Sequence, residues 1–306
     1  MLKYTISRLL QAIPVIIGTT FLTFFMLQVA PGDPITLMMG DHLAPDVVER
    51  VRNEMHLDDP WPQRYLIYMW NALHGDFGRS YKIRRDVGVL LANAFPKTLA
   101  LTFTALFFAW SLGVPAGIVS ALRQYSIADH GVMIIALFGV SVPIFWSGLI
   151  LQLIFGWKLG WLPISGYGTI KHLILPGIVL GWASAAVIAR LVRSNLLEVM
   201  SSDYIRTARA KGLGASAVIL RHALKNSLLS VVTVMAVQIA SLLSGAVITE
   251  SVFGIPGVGR VAVGAIQSRD APLLQASVIL TVLLIVVGNL AADLSYAFLD
   301  PRIRRQ

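Results

Sequence analysis

Leu273-Leu274-Gln275-Ala276-Ser277-Val278-Ile279-Leu280-Thr281-Val282-Leu283-Leu284-Ile285-Val286-Val287-Gly288-Asn289-Leu290-Ala291-Ala292 is a run with no acidic or basic side chain. A helix rises about 1.5 Å per residue, so about 20 residues cross the roughly 30 Å hydrocarbon core of a bilayer. Five other stretches read the same way: Leu9–Val29, Thr98–Leu122, Gly131–Phe155, Leu173–Ala189 and Ser227–Thr249. None alternates apolar and polar residues as barrel strands do, so the predicted spans are helices. Leu173–Ala189 is the shortest, and it extends past Arg190 if that side chain snorkels to the headgroups. Together the runs predict an all-α membrane protein with six transmembrane helices.

The composition agrees. Of 306 residues, 56% are hydrophobic and 13% charged, against about 25% charged in a soluble domain. A disordered chain needs low hydrophobicity and is excluded. The formal net charge is +9, but on so apolar a chain it signals membrane topology rather than nucleic-acid binding. The absence of cysteine excludes disulfides, thiolate metal sites and cysteine nucleophiles.

Positive charge orients the spans. The segment 190–226 carries Arg190, Arg193, Arg206, Arg209, Lys211, Arg221 and Lys225 against Glu198 and Asp203, and the tail carries Arg302, Arg304 and Arg305 against Asp300. Both are predicted cytoplasmic, and six spans then put the N-terminus, with Lys3 and Arg8, inside as well. Nearly all of the excess positive charge falls on that side. The first run ends at Gln28-Val29-Ala30-Pro31 without a small-x-small cleavage site, and is read as a retained anchor rather than a signal peptide. The chain thus divides into 1–29, the N-terminus and first span; 30–97, an extracytoplasmic segment; and 98–306, a core with the remaining spans and the cytoplasmic loop 190–226. In segment 30–97, Pro45 is placed to open a short helix with Val47, Val48, Val51 and Met55 on one face. Tyr65–Trp70 suits a helix on the membrane surface or packed on the span mouths. The sequence leaves open whether this segment is a cap or a surface for a soluble partner. Small residues four apart, at Gly113 and Gly117, Gly177 and Gly181, and Ala236 and Ala240, predict close helix approach.

Several chemistries have no residues to carry them. The six runs contain no Asp, Glu, Lys, Arg or His, whereas ion-coupled carriers use buried ionisable groups. There is no G-x-x-x-x-G-K-[ST] phosphate loop and no H-E-x-x-H pair. Gly212-Leu213-Gly214-Ala215-Ser216-Ala217 fits G-x-G-x-x-A but follows a basic helical stretch rather than a strand. Six histidines, His42, His56, His74, His130, His172 and His222, are scattered along the chain, and no metal site is assigned.

The most unusual segment joins the fourth and fifth runs: Asp203-Tyr204-Ile205-Arg206-Thr207-Ala208-Arg209-Ala210-Lys211-Gly212-Leu213-Gly214. Ser202 or Asp203 is placed to cap a short helix, and Gly212 to end it in the left-handed conformation. A topology anchor needs cations, but neither small residues between them nor a glycine at fixed spacing. The pattern predicts a short cytoplasmic helix that slots into a groove on a soluble partner.

These residues also carry a family resemblance. Tyr204–Leu213, followed by His222-Ala223-Leu224-Lys225-Asn226, resembles the "EAA" signature of permease subunits of dipeptide/oligopeptide/nickel-type ABC importers. Pro31-Gly32-Asp33-Pro34, Gly75-Asp76-Phe77-Gly78-Arg79-Ser80, Ser141-Val142-Pro143-Ile144-Phe145, His172 with Ile174-Leu175-Pro176, Glu250–Arg260 and Asp300-Pro301-Arg302-Ile303-Arg304 resemble further family motifs in the family's order, over nearly the whole chain. One departure stands out: where the family has a proline after the His-Ala-Leu element, this chain has Leu228-Leu229-Ser230-Val231, which leaves the start of the fifth helix less constrained.

The resemblance implies the type I importer permease fold, in the inner or cytoplasmic membrane of a bacterium or archaeon, and a non-catalytic subunit. It implies four kinds of partner: membrane lipid, a second homologous permease, two ATPase subunits that bind ATP and Mg, and an extracytoplasmic binding protein. It implies an ATPase-docking (coupling) helix with Tyr204, Arg206, Ala208, Arg209, Lys211, Gly212, Leu213 and His222. A bulky or acidic change at Ala208 or Gly212 is then expected to uncouple transport without blocking membrane insertion. Glu250, Gly254, Pro256, Gly257 and Gly259 form a candidate extracytoplasmic gate, in a segment that reads either as a re-entrant turn or as an ordinary Pro-Gly loop. Peptide is the expected substrate, with nickel or metallophore, glutathione and opine as alternatives within the family. A secondary carrier or channel is the alternative class.

Overall fold

The structure, a computed structural model, describes residues 2–29 and 58–299, with Ile35, Glu49 and Arg52 between them. The helix expected from Pro45, the Pro31–Pro34 motif and the Asp300–Arg304 motif lie outside the described residues. The described elements are α1 (Leu2–Val29), α2 (Trp61–Leu73), α3 (Val87–Leu122), α4 (Ile127–Ser141), α5 (Ile144–Leu151), α6 (Lys171–Met200), α7 (Asp203–Ala210), α8 (Leu224–Phe253), α9 (Val258–Gln267) and α10 (Ala271–Leu299). A π-helical turn, Gln152–Lys158, extends α5, and α8 is entered through a helical turn at Ala215–Ala217 and a second π turn at Val218–Ala223. Four described helices are long and apolar enough to cross a membrane by themselves, and two bent helix pairs bring the number to as many as six.

One bent pair corrects the expectation of an unbroken third span. Proline lacks an amide hydrogen and pushes the residue before it out of the helical region. Val142 accordingly takes φ −84° and ψ 130°, and Pro143 φ −59° and ψ 135°. The helix stops at Ser141 and restarts at Ile144 with its axis turned by 109°. The fourth span, by contrast, runs on past Arg190 to Met200. At about 1.5 Å per residue its 30 residues reach about 45 Å, longer than a roughly 30 Å hydrocarbon core. The fifth helix extends to Phe253 and so takes in Glu250.

The chain forms two compact units. The first is Met1–Thr98 with Ile255–Val286. In it α2 lies along α1: Tyr65 packs edge-on against Phe21 and Phe24, and its hydroxyl is 2.9 Å from Thr20 Oγ1. Val87, Leu91, Ala94, Val258, Ala265 and Leu273 are among its core residues. Asp270, fully buried just before α10, accepts bonds from the Ser80 hydroxyl and the Lys82 N–H, and so ties down the turn around Arg79–Asp86. Burial pushes the neighbouring Tyr81 phenol up to about 12; Arg64 opposes this shift and Asp270 adds to it.

The second unit is Leu99–Gly254 with Val287–Gln306. In it α6 packs against α4 and α8. Glycine allows α3 and α6 to meet at backbone distance: a Cβ at Gly117 would stand 2.5 Å from the Ala189 carbonyl, and one at Gly181 would stand 2.4 Å from the Ala105 carbonyl. The small-residue spacing read from the sequence thus joins these two helices. The side chains of Ala236 and Ala240 lie outside the described residues.

Candidate functional site

Helix α7 follows α6 after Ser201 and Ser202. Ser202 occupies the N-cap position, but its hydroxyl donates back to the Val199 carbonyl, so no side chain caps the helix. Asp203 in the first turn and Arg209 in the last have the signs that suit the helix dipole. The C-terminus is closed as the sequence suggests. Gly212 has φ +79°, its N–H donates to the Arg209 carbonyl, and the Leu213 N–H donates to Ala208. This is the paired bonding of a Schellman motif, which favours glycine because the left-handed conformation carries no Cβ penalty there.

Two residues fix which way α7 faces. Ile205 and Ala208, three apart, are both buried, packed with Ala121, Leu196, Val218 and Ala223. This corrects one expectation: Ala208 holds the helix against its own chain and is not part of the exposed surface. The opposite face and the following turn expose Tyr204, Arg206, Arg209, Lys211, Gly212 and Leu213. Arg206 lies 3.7 Å from Asp203 with both side chains in solvent. The Tyr204 hydroxyl accepts a bond from Asn226 Nδ2, 2.9 Å away. His222 is half-buried in the π turn that leads into α8, next to fully buried Ala223. The two halves of the signature are therefore brought together, with a cationic face outward and an aliphatic face inward.

The gate candidates fall in both units. In the second, Glu250 is fully buried in the last turn of α8, and Gly254 ends that helix with φ +67°. In the first, Pro256 is exposed, Gly257 and Gly259 are buried, and the Val258 N–H donates to Thr98 Oγ1 at the start of α9. Among the described residues no three His, Cys, Asp or Glu side chains are grouped to hold a metal ion.

Two features escaped the sequence reading. The first is an apolar cavity of about 540 Å³ at the α4–α5 bend, with Trp146 and Trp182 in its lining and Ser147 its hydroxyl-bearing residue. The second is an ion pair. Arg193 Nε and one terminal nitrogen donate to the two carboxylate oxygens of Asp129, at 2.7 and 2.8 Å. The Ser120 hydroxyl and the Tyr125 N–H donate to the same carboxylate. Asp129 lies in the first turn of α4, before the apolar run begins, and only 3% of it is exposed. The bonds from Arg193, Ser120 and Tyr125 hold its carboxyl well below the usual carboxylate range. Ser126-Ile127-Ala128-Asp129 before an apolar run was the available signal, and the Ser126 hydroxyl does accept the Asp129 N–H.

Known proteins match the whole chain. Residues 1–102 match the family model for the N-terminal part of binding-protein-dependent transport system membrane components, and residues 113–305 match the model for their inner membrane component. The di/tripeptide transport system permease protein DppB of Pseudomonas aeruginosa (strain UCBPP-PA14) is 40% identical, with all of both chains covered. The glutathione transport system permease protein GsiC of Escherichia coli (strain K12) is 41% identical over 99% of each chain. Among solved structures, the inward-facing MetNI methionine ABC transporter superposes with a TM-score of 0.59 at 21% identity, covering 69% of this chain and 96% of that one, which establishes a shared fold. The chain belongs to the binding-protein-dependent transport system inner membrane component family.

Proposed function

We propose that this chain is the membrane-spanning permease subunit of an ATP-driven importer that takes di- or oligopeptides from an extracytoplasmic binding protein. The observation that carries the substrate class is full-length identity of about 40% to permeases named for di/tripeptide and glutathione transport. Glutathione is itself a tripeptide, so both names describe short peptide-like cargo. A second, similar permease completes the pathway, and two ATPase subunits dock on the cytoplasmic side of the pair. The exposed face of α7 with the turn that follows it, carrying Arg206, Arg209, Lys211 and Leu213, is the docking surface on this chain. Both termini lie in the cytoplasm. ATP-driven closure pushes α7 and shifts the spans between inward- and outward-facing arrangements. Glu250 and the glycines of Gly254–Gly259 serve at the outer gate.

The test is reconstitution. This chain is co-expressed with its sister permease and ATPases, purified, and placed in proteoliposomes with the binding protein. Uptake of tritiated di- and tripeptides that requires ATP and the binding protein supports the proposal. Purification of this chain without an ATPase, or uptake that persists without ATP, overturns it.

A further inference from the structure

We infer that Asp129 and Arg193 are positioning residues that carry the movement of α7 into the α3–α4 hairpin. This inference rests on α7 being the ATPase-docking helix. The inward face of α7 presses Ile205 and Ala208 against Leu196 of α6 and Ala121 of α3. One turn away from Leu196 on α6 stands Arg193, and beside Ala121 on α3 stands Ser120. Both reach the same carboxylate, that of Asp129 at the start of α4. The aliphatic cluster and the polar clasp therefore form two contiguous layers that join α3, α4 and α6 to α7.

The chemistry favours a rigid link. A two-pronged guanidinium–carboxylate pair fixes direction as well as distance, because two parallel bonds resist rotation. The carboxylate also accepts the Ser120 hydroxyl and the Tyr125 N–H, so loss of one partner leaves charge buried without its full set of bonds. Tyr125 adopts the left-handed backbone conformation, with φ +62° and an exposed side chain. A non-glycine residue in that region stores strain, and such strain persists only where surrounding bonds hold it. Here the held bond is its own N–H to Asp129.

The end that the clasp holds is the near end of the broken span. Helix α4 leads from Asp129 to the Val142-Pro143 break, where the apolar cavity lies. A push received on α7 thus reaches the bend through α4 as one rigid piece, instead of being dissipated in the short α3–α4 loop.

Spin labels test this on the assembled transporter. The chain has no cysteine, so Gln124→Cys in the α3–α4 loop and Ser216→Cys after α7, both exposed positions, give one label pair per chain. With Asp129 and Arg193 intact, the pair shows one narrow distance distribution, the same without nucleotide and in the ATP–vanadate-trapped state. Asp129→Asn and Arg193→Met broaden it in both states and make it shift on ATP trapping, while uptake of tritiated peptides per ATP hydrolysed falls about tenfold. Arg193→Lys, which keeps a point charge but loses the fork, falls between. Asp129→Glu, which keeps an acceptor for Arg193, Ser120 and Tyr125, narrows the distribution relative to Asp129→Asn, a rescue that loss of general stability does not produce. Distances in Asp129→Asn as narrow as in the parent, in both states, overturn the inference. If the parent complex itself purifies without an ATPase, the docking reading fails, and the nucleotide-free distances still decide whether the clasp holds the loop.

Discussion

Asp129 is a residue whose chemistry its environment alters. Its carboxyl is depressed in the folded chain by bonds from Arg193, Ser120 and Tyr125. A depressed acid contributes stability that is complete above its unfolded value, near 3.9, and is lost as the pH falls through the folded value. Thermal unfolding of Asp129→Asn measured against the parent is therefore expected to show a constant deficit from pH 8 down to about 5, closing only below about 4. A deficit that peaks near neutral pH points to a different titrating group. One residue of α7 and one of the turn that follows it give the complementary contrast. Ala208→Glu places a carboxylate in the buried cluster with Ile205 and Leu196, and an unpaired buried charge is costly; folded yield in the membrane is expected to drop before docking can be assayed. Lys211→Glu lies on the exposed turn and is expected to leave the melting temperature unchanged while reducing the amount of ATPase that co-purifies. Equal yields for the two variants contradict the inward placement of Ala208.

At the scale of elements, helix ends and helix contacts set the predictions. Gly212→Ala forces a Cβ into a left-handed position and is expected to cost about 1 kcal/mol, read as earlier unfolding and weaker ATPase retention. Gly117→Val is the stronger test of packing. Even a bare Cβ there meets the Ala189 carbonyl and Val192, so α3 and α6 must separate, at a cost of about 1–3 kcal/mol. Much of this was legible in the sequence, since spans announce themselves by apolar length and close helix pairs by small residues four apart. The break at Pro143 was written in the sequence too, but the apolar run continues through it and masked the change of direction. The inward turn of Ala208 was harder to see, because alanine suits either a docking face or a packed one, and only the cluster around Leu196 decides. Asp129 and Arg193 stand 64 residues apart, with no local pattern to pair them. Arg193 was counted among the cations that orient the membrane spans, which hid its bonds to Asp129.

For the whole molecule, the open quantity is orientation. The absence of ionisable groups from the apolar runs was one reason to set aside an ion-coupled carrier. The structure weakens that reason, since α8 runs to Phe253 and buries Glu250 within its last turn. Family membership now carries the distinction, and orientation must be tested on its own. The proposal that 190–226 and the tail lie inside rests on positive charge. The proposed orientation assigns the Arg79–Asp86 turn to the extracytoplasmic side and α7 to the cytoplasmic side. The cysteine-free sequence makes this directly measurable with single substitutions at exposed positions. Arg84→Cys is expected to react with a membrane-impermeant maleimide in intact spheroplasts, and Ser216→Cys only after the membrane is opened. Reaction of Ser216→Cys from outside would place α7 where no ATP is available. That outcome would remove the ATPase-docking role and, with it, the route by which hydrolysis reaches the spans.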